Sequence, residues 1–175
     1  MMSEEYLPIC DKEGNIIGKE LRSVCHNGES MLLHPVVHLH IFNTRGELYL
    51  QKRSLTKDVQ PGKWDTSVGG HVDPGEEIEE AMLREAKEEA GIDCFEYRLI
   101  KIYIWQSEVE RELVHTYITT TGLIPVPDPG EVEEGRFWSP EEIKASLGKD
   151  IFTPNFEEEY GWLRPFLSSR QQQFR

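Results

Sequence analysis

The sequence predicts an α+β fold: a sheet with helices packed on it, preceded by a small β extension over residues 1–30. Three observations carry this. Runs of strand-like alternation stand before, between and after helical stretches. Gly- and Pro-bearing turn signals separate them at short intervals. The chain has 175 residues, 38% of them apolar. That suits one main domain, assigned to residues 31–175, with a sizeable core and no extended disordered tract.

Taken in order, residues 5–9 and 15–24 read as short strands around the Asp11–Gly14 turn, and Cys25–Ser30 as a polar connection. Residues 34–43 and 47–53 read as a hairpin across Thr44-Arg45-Gly46. A loop with Pro61-Gly62 follows, then a brief strand over 64–68 and a turn at Gly69-Gly70. A helix is expected over 76–90, stopped by Gly91 as C-cap. Residues 99–106 and 113–121 are expected as strands, 125–130 as a loop and 136–138 as a short strand. Ser139 and Pro140 mark the start of another helix, and a last helix is expected over 156–167.

Composition narrows the chemistry. Nineteen Lys and Arg face 32 Asp and Glu, for a net charge of −13. Such a chain repels nucleic acid and anionic membranes on average. It binds a phosphate compound only where cations bridge the two, so a divalent metal site is worth seeking. No apolar run approaches the ~18 residues of a membrane span. The acidic N-terminus lacks a signal-peptide pattern. Cys10, Cys25 and Cys94 have no disulfide or zinc-ribbon spacing, which points to a reduced, cytoplasmic compartment.

The chemistry concentrates on the 76–90 helix. At about 100° per residue, Glu85, Glu88 and Glu89 fall on one third of its circumference, while Leu83, Ala86 and Ala90 are expected to face the core. Like charges at i,i+4 repel, and a divalent cation reverses the sign of that term. A solvated acidic face is the alternative. The flanking residues favour the site. Gly69-Gly70 allows close backbone approach, and Arg84 can reach back to Glu76 or Glu80 and hold the array still.

The run Gly70-x5-Glu76-x7-Arg84-Glu85-Ala86-x-Glu88-Glu89-x-Gly91-Ile92 resembles the Nudix box, with Ala86 where the family usually has a larger aliphatic residue. The resemblance implies an α/β/α sandwich with a mixed central sheet, and hydrolysis of a diphosphate linkage with Mg²⁺ or Mn²⁺. It implies Glu85, Glu88, Glu89 and the Gly70 carbonyl as metal ligands, with Arg84 and Glu76 as a supporting pair. Glu88 is the first choice for general base. The alternative base lies in the late acidic segment Glu131, Glu133, Glu134, which otherwise reads as a solvated turn.

Residues 33–143 also resemble isopentenyl diphosphate isomerase, a non-hydrolytic relative, and equally a bacterial hydrolase group related to it. The isomerase pattern has a catalytic cysteine where this chain has Gly69, and it degrades the box that this chain keeps. A pyrophosphohydrolase acting on a nucleoside diphosphate derivative is therefore expected. The alternatives are an isomerase-like enzyme and a non-catalytic nucleotide- or sugar-diphosphate-binding module. The isomerase's own metal ligands have counterparts in His34, His71, Glu110 and Glu112, with His26 a looser match. These form either a second metal site or a set of hydrogen-bonding residues beside the cleft. Arg53, Lys57 and Lys63 are candidate diphosphate contacts or plain surface cations. Trp64, Trp105 and Trp138 stack on a base or fill the core. Family habit suggests a homodimer.

Overall fold

The computed structural model describes residues 3–57 and 59–173, with side chains to residue 165. An antiparallel hairpin of β1 (Tyr6–Cys10) and β2 (Ile16–Leu21) opens the chain, and α1 (Arg22–Cys25) follows at once. Residues 22–24, expected to continue a strand, instead form this single helical turn, whose end returns by a His26 N–H to Arg22 C=O bond of 3.0 Å. The hairpin leans on the main sheet through Cys10, which packs with Leu33 and Leu113.

The main sheet holds β3 (Leu33–Phe42), β4 (Leu48–Arg53), β5 (Trp64–Asp65), β6 (Val68–His71), β7 (Arg98–Gln106), β8 (Arg111–Thr120) and β9 (Val132–Trp138). Its main order is β5-β4-β3-β8-β7, with β6 added to β3 and β9 to β4. It is mixed: β3 runs parallel to β8 and antiparallel to β6. Gly69 and Gly70, expected at a turn, lie within β6 opposite His38 and Val37. Their lack of side chains serves the packing above β6 rather than a change of chain direction. β9 also begins earlier than expected, so Glu133 and Glu134 stand exposed on a strand and only Glu131 stays in the preceding turn.

Alternation along β3 separates two cores. Val37, Leu39 and Ile41 pack under α2 (Ile78–Ala90) against Ala81, Met82, Ala86 and Ala90. The other face meets α3 (Pro140–Ser146) and α4 (Pro154–Gln173), where Phe42, Leu48, Leu50 and Ile118 pack with Ile143, Phe156, Tyr160 and Leu163. The result is an α/β/α sandwich. Leu83, expected to face the core, is exposed. Met82, one position earlier, takes the inward place. No helix of the described residues is long and apolar enough to cross a membrane.

Candidate active site and metal centres

α2 is fixed at both ends before its acidic face is considered. Glu77 and Glu80 form a reciprocal capping box, and Gly91 ends the helix in the left-handed region at φ 64°. Burial of Ala86 and Ala90 then turns Glu85, Glu88 and Glu89 toward β6 and solvent.

Arg84 organises this face. Its Nε and Nη2 donate to the two Glu76 oxygens at 2.8 and 3.0 Å, a bidentate pair. Nη1 reaches Glu85 at 2.8 Å and Glu88 at 3.3 Å, and Nη2 also donates to the His71 carbonyl at 3.0 Å. Of the two partners expected for Arg84, Glu76 is the one it finds, and Glu80 serves the cap. Glu76 in turn accepts from the Asp73 N–H at 2.9 Å. Bonds from Arg84 hold the Glu76 carboxyl below the usual carboxylate range.

The three box carboxylates occupy different surroundings. Glu89 is sunk in the wall, where one oxygen accepts from the Gly69 N–H and from Gln51 Nε2, each at 3.1 Å. Glu85 lies over Gly70, so close that a Cβ there would sit 2.5 Å from Glu85 Cγ and nearer still to its carboxyl group. Glu88 is the outer member, its side chain 59% exposed. Burial pushes Glu85 and Glu89 up to about 7; Glu131 adds repulsion to both, Glu88 to Glu85 and Glu85 to Glu89. Crowded carboxyls on a cradle that only glycine permits suit a hard divalent cation with oxygen ligands.

That crowding predicts a pH signature. The folded pKa values lie above the ordinary 4.5. Between these limits the native state binds more protons than the unfolded chain, so metal-free stability falls as pH rises through about 7. Metal binding needs the ionised forms. Excess Mg²⁺ should therefore raise the melting temperature by several degrees at about pH 8 and by much less at about pH 5.5. Equal shifts at both values in thermal-denaturation scans would contradict the assignment.

A second cluster stands on the same cleft. One ligand atom from each of His26, His34, His71 and Glu110 lies within 4.8 Å of the others. His26 Nε2 is 2.7 Å from Glu110 Oε2, and His34 Nε2 is 3.5 Å from it. His34 Nδ1 faces the Leu32 carbonyl at 3.0 Å, which fixes that nitrogen as donor and turns the Nε2 lone pair inward. The three Nε2 atoms and Glu110 Oε2 are buried without a hydrogen bond of acceptable geometry. Burial drives His71 down to about 3, so it is neutral and free to ligate. Nearby imidazoles draw Glu110 far below its ordinary value despite burial. Such orphaned donors fit zinc or a transition metal better than Mg²⁺. Glu112 lines the cleft outside this group of four, where burial and Glu110 raise it to about 8. His26 takes the remaining place, delivered by the turn after α1.

Both clusters border a cleft of about 420 Å³. Arg53, Lys57, Glu131 and Trp105 also line it. Arg53 pairs with Asp65 at 3.3 Å, and Lys57 approaches Glu131 at 4.0 Å. Lys63 does not line it and binds Asp150 instead. Trp64 and Trp138 are core residues, edge to face with ring centroids 5.1 Å apart.

Sequence reasoning missed a third group. Glu159, reaching up from α4, is buried beneath the cleft. Oε1 contacts His38 Nδ1 at 3.0 Å, Tyr103 Oη at 2.9 Å and Thr116 Oγ1 at 2.7 Å, and Oε2 contacts His40 Nε2 at 2.8 Å. A signal was present: His34, His38 and His40 share one face of β3, which would otherwise be apolar.

The sandwich, the capped acidic helix and its glycine cradle define a Nudix-type protein. The NUDIX domain profile matches residues 32–159. The chain is 38% identical over 126 residues to an uncharacterized Nudix hydrolase of Clostridium acetobutylicum, covering 67% of this chain but only 60% of that protein. It is 30% identical over 166 residues to isopentenyl-diphosphate Delta-isomerase 1 of Photorhabdus laumondii, covering 89% and 93%. Among solved structures, DR0079 of Deinococcus radiodurans superposes with a TM-score of 0.74 at 25% identity, over 88% of this chain and 96% of that one. The chain belongs to the NUDIX domain family.

Proposed function

We propose that the chain is a Nudix-type pyrophosphohydrolase, cleaving the diphosphate linkage of a nucleoside diphosphate derivative with Mg²⁺ or Mn²⁺. The observation that carries this reading is the set Glu85, Glu88 and Glu89: Arg84 holds the first two, Glu85 lies over Gly70, and Glu89 lines an open cleft. The three carboxylates and the Gly70 carbonyl would hold the metal. When bound, it neutralises the diphosphate and lowers the pKa of water. Glu88, the most accessible of the three, takes the proton from the attacking water. Glu131 on the cleft wall is the second candidate. Arg53 and Lys57 receive phosphate oxygens, and Arg84 with Glu76 keeps the carboxylates in register.

The isomerase is the second reading, favoured by the His26, His34, His71, Glu110 cluster and by the isomerase relatives. Two features weigh against it. Gly69 offers no thiol to protonate an alkene. The chain also keeps the full Arg84, Glu85, Glu88 and Glu89 set that the isomerase pattern degrades. The three free cysteines fit a reducing, cytoplasmic location.

A substrate panel tests the proposal. With Mg²⁺ or Mn²⁺, nucleoside diphosphate sugars and dinucleotides should release a nucleoside monophosphate, while isopentenyl diphosphate is recovered unchanged. Conversion of isopentenyl diphosphate without phosphate release would establish the isomerase instead. Tight binding of a nucleotide with no product over hours would mean a binding module.

A further inference from the structure

His38 is the one member of the Glu159 group that looks into the cleft. Its side chain is 12% exposed and lines the cavity. Nδ1 faces the Glu159 carboxylate at 3.0 Å, so Nδ1 carries a proton and donates it. Nε2 has no hydrogen-bond partner among the described residues. Its position is set by β6: a Cβ on Gly69 would lie 3.6 Å from Nε2 and 3.4 Å from Cδ2. Gly69 is the residue whose N–H binds Glu89. His38 is on the face of the sheet away from α2, and its free edge meets the cleft beside Gly69, the residue that ties Glu89 to β6.

We propose that His38 is a substrate-contacting residue of the hydrolytic site, donating a hydrogen bond from Nε2 to a non-bridging oxygen of the diphosphate, with Glu159 as its positioning residue. The inference rests on the pyrophosphohydrolase reading and adds a third cationic contact to the Arg53 and Lys57 already assigned to the phosphate oxygens. A neutral imidazole donating from Nδ1 has only a lone pair at Nε2. The doubly protonated ring has a donor on both sides, and a buried carboxylate favours that ring. The setting agrees: Glu159, with Glu112 and Asp65 more distant, raises His38 to about 9 against the effect of burial. Glu159 is itself held ionised, well below its ordinary value, by His38 and His40. Tyr103 and Thr116 donate to the same oxygen that faces His38, and His40 holds the other, so the carboxylate cannot swing away from His38. Arg53, Lys57 and Glu89 line the same cleft. A diphosphate bound there shares one cavity with these cations, with His38 and with a box carboxylate.

The test uses α,β-methylene-ADP, a diphosphate that resists cleavage, with Mg²⁺ and the full chain. Calorimetry on wild type, His38→Gln and Glu159→Gln should show affinity falling at least about tenfold in His38→Gln, with kcat/KM on a cleavable substrate reduced ~10–100-fold. Nitrogen-15 spectra of wild type should show a doubly protonated His38 at neutral pH, with Nε2 moving when the probe is added. In Glu159→Gln that ring should become neutral and affinity should fall with it. A folded His38→Gln that binds the probe as tightly as wild type, or an Nε2 signal that ignores the probe, overturns the inference. Should His38→Gln fail to fold, the wild-type spectra decide. A wild type that cleaves no diphosphate yet moves Nε2 on binding removes the reaction and keeps the contact.

Discussion

Glu89→Gln is expected to lower turnover by at least about three orders of magnitude while leaving the fold intact. The substitution keeps the shape of the side chain. The Gly69 N–H and Gln51 Nε2 both donate to the same Glu89 oxygen, and the amide oxygen of glutamine can take that position. What is lost is the second oxygen, which becomes an NH₂ group that repels a cation. Metal-free stability should even rise slightly at about pH 8, because a buried carboxyl pushed up to about 7 no longer has to ionise. The Mg²⁺-induced gain in melting temperature should shrink or vanish. Glu88→Gln supplies the contrast: its exposed side chain makes the metal-free melting temperature nearly indifferent to the change, yet turnover should fall sharply. Steady-state kinetics and thermal scans on both variants are sufficient. Undiminished turnover in both would remove the proposed reaction.

The parts of this site that were legible in the sequence are the local ones. The helix, its Gly91 stop and the grouping of Glu85, Glu88 and Glu89 all follow from spacing within one element. The pairing of Arg84 with Glu76 spans eight residues on nearly the same segment. Gly69 and Gly70 were legible as special but not as strand, because glycine marks equally a turn and a place where something large comes close. Only the position of Glu85 above β6 decides between them. Leu83 was misplaced for a similar reason. Adjacent apolar residues on a helix differ by about 100°, and which one faces inward depends on the sheet beneath. The Glu159 group lay beyond this kind of reading. Glu159 and the two β3 histidines are 119 and 121 residues apart, and α4 carries no motif that announces its approach. His26 was a weak match in the sequence because the turn of α1, unread there, is what carries it into the cluster.

Gly70→Ala is the second variant expected to have a large effect, and its cause is different. Gly70 lies in a regular strand paired with Val37, outside the left-handed region, so alanine fits the backbone. The obstacle is the carboxyl group of Glu85, which occupies the place a Cβ needs. Glu85 must leave, and its 2.8 Å bond to Arg84 goes with it. Overpacking of this kind costs about 1–3 kcal/mol, which for a chain of this size lowers the melting temperature by several degrees. The catalytic loss should be larger, roughly 100-fold, since a ligand is displaced rather than a rotamer strained. Coupling separates this cause from general damage to the sheet. In a Glu85→Gln background the ligand is already gone, so adding Gly70→Ala should reduce turnover by no more than a few-fold further. Full additivity of the two losses would mean that Gly70 acts on turnover by some route other than Glu85, and the cradle that motivates the metal assignment would lose its support.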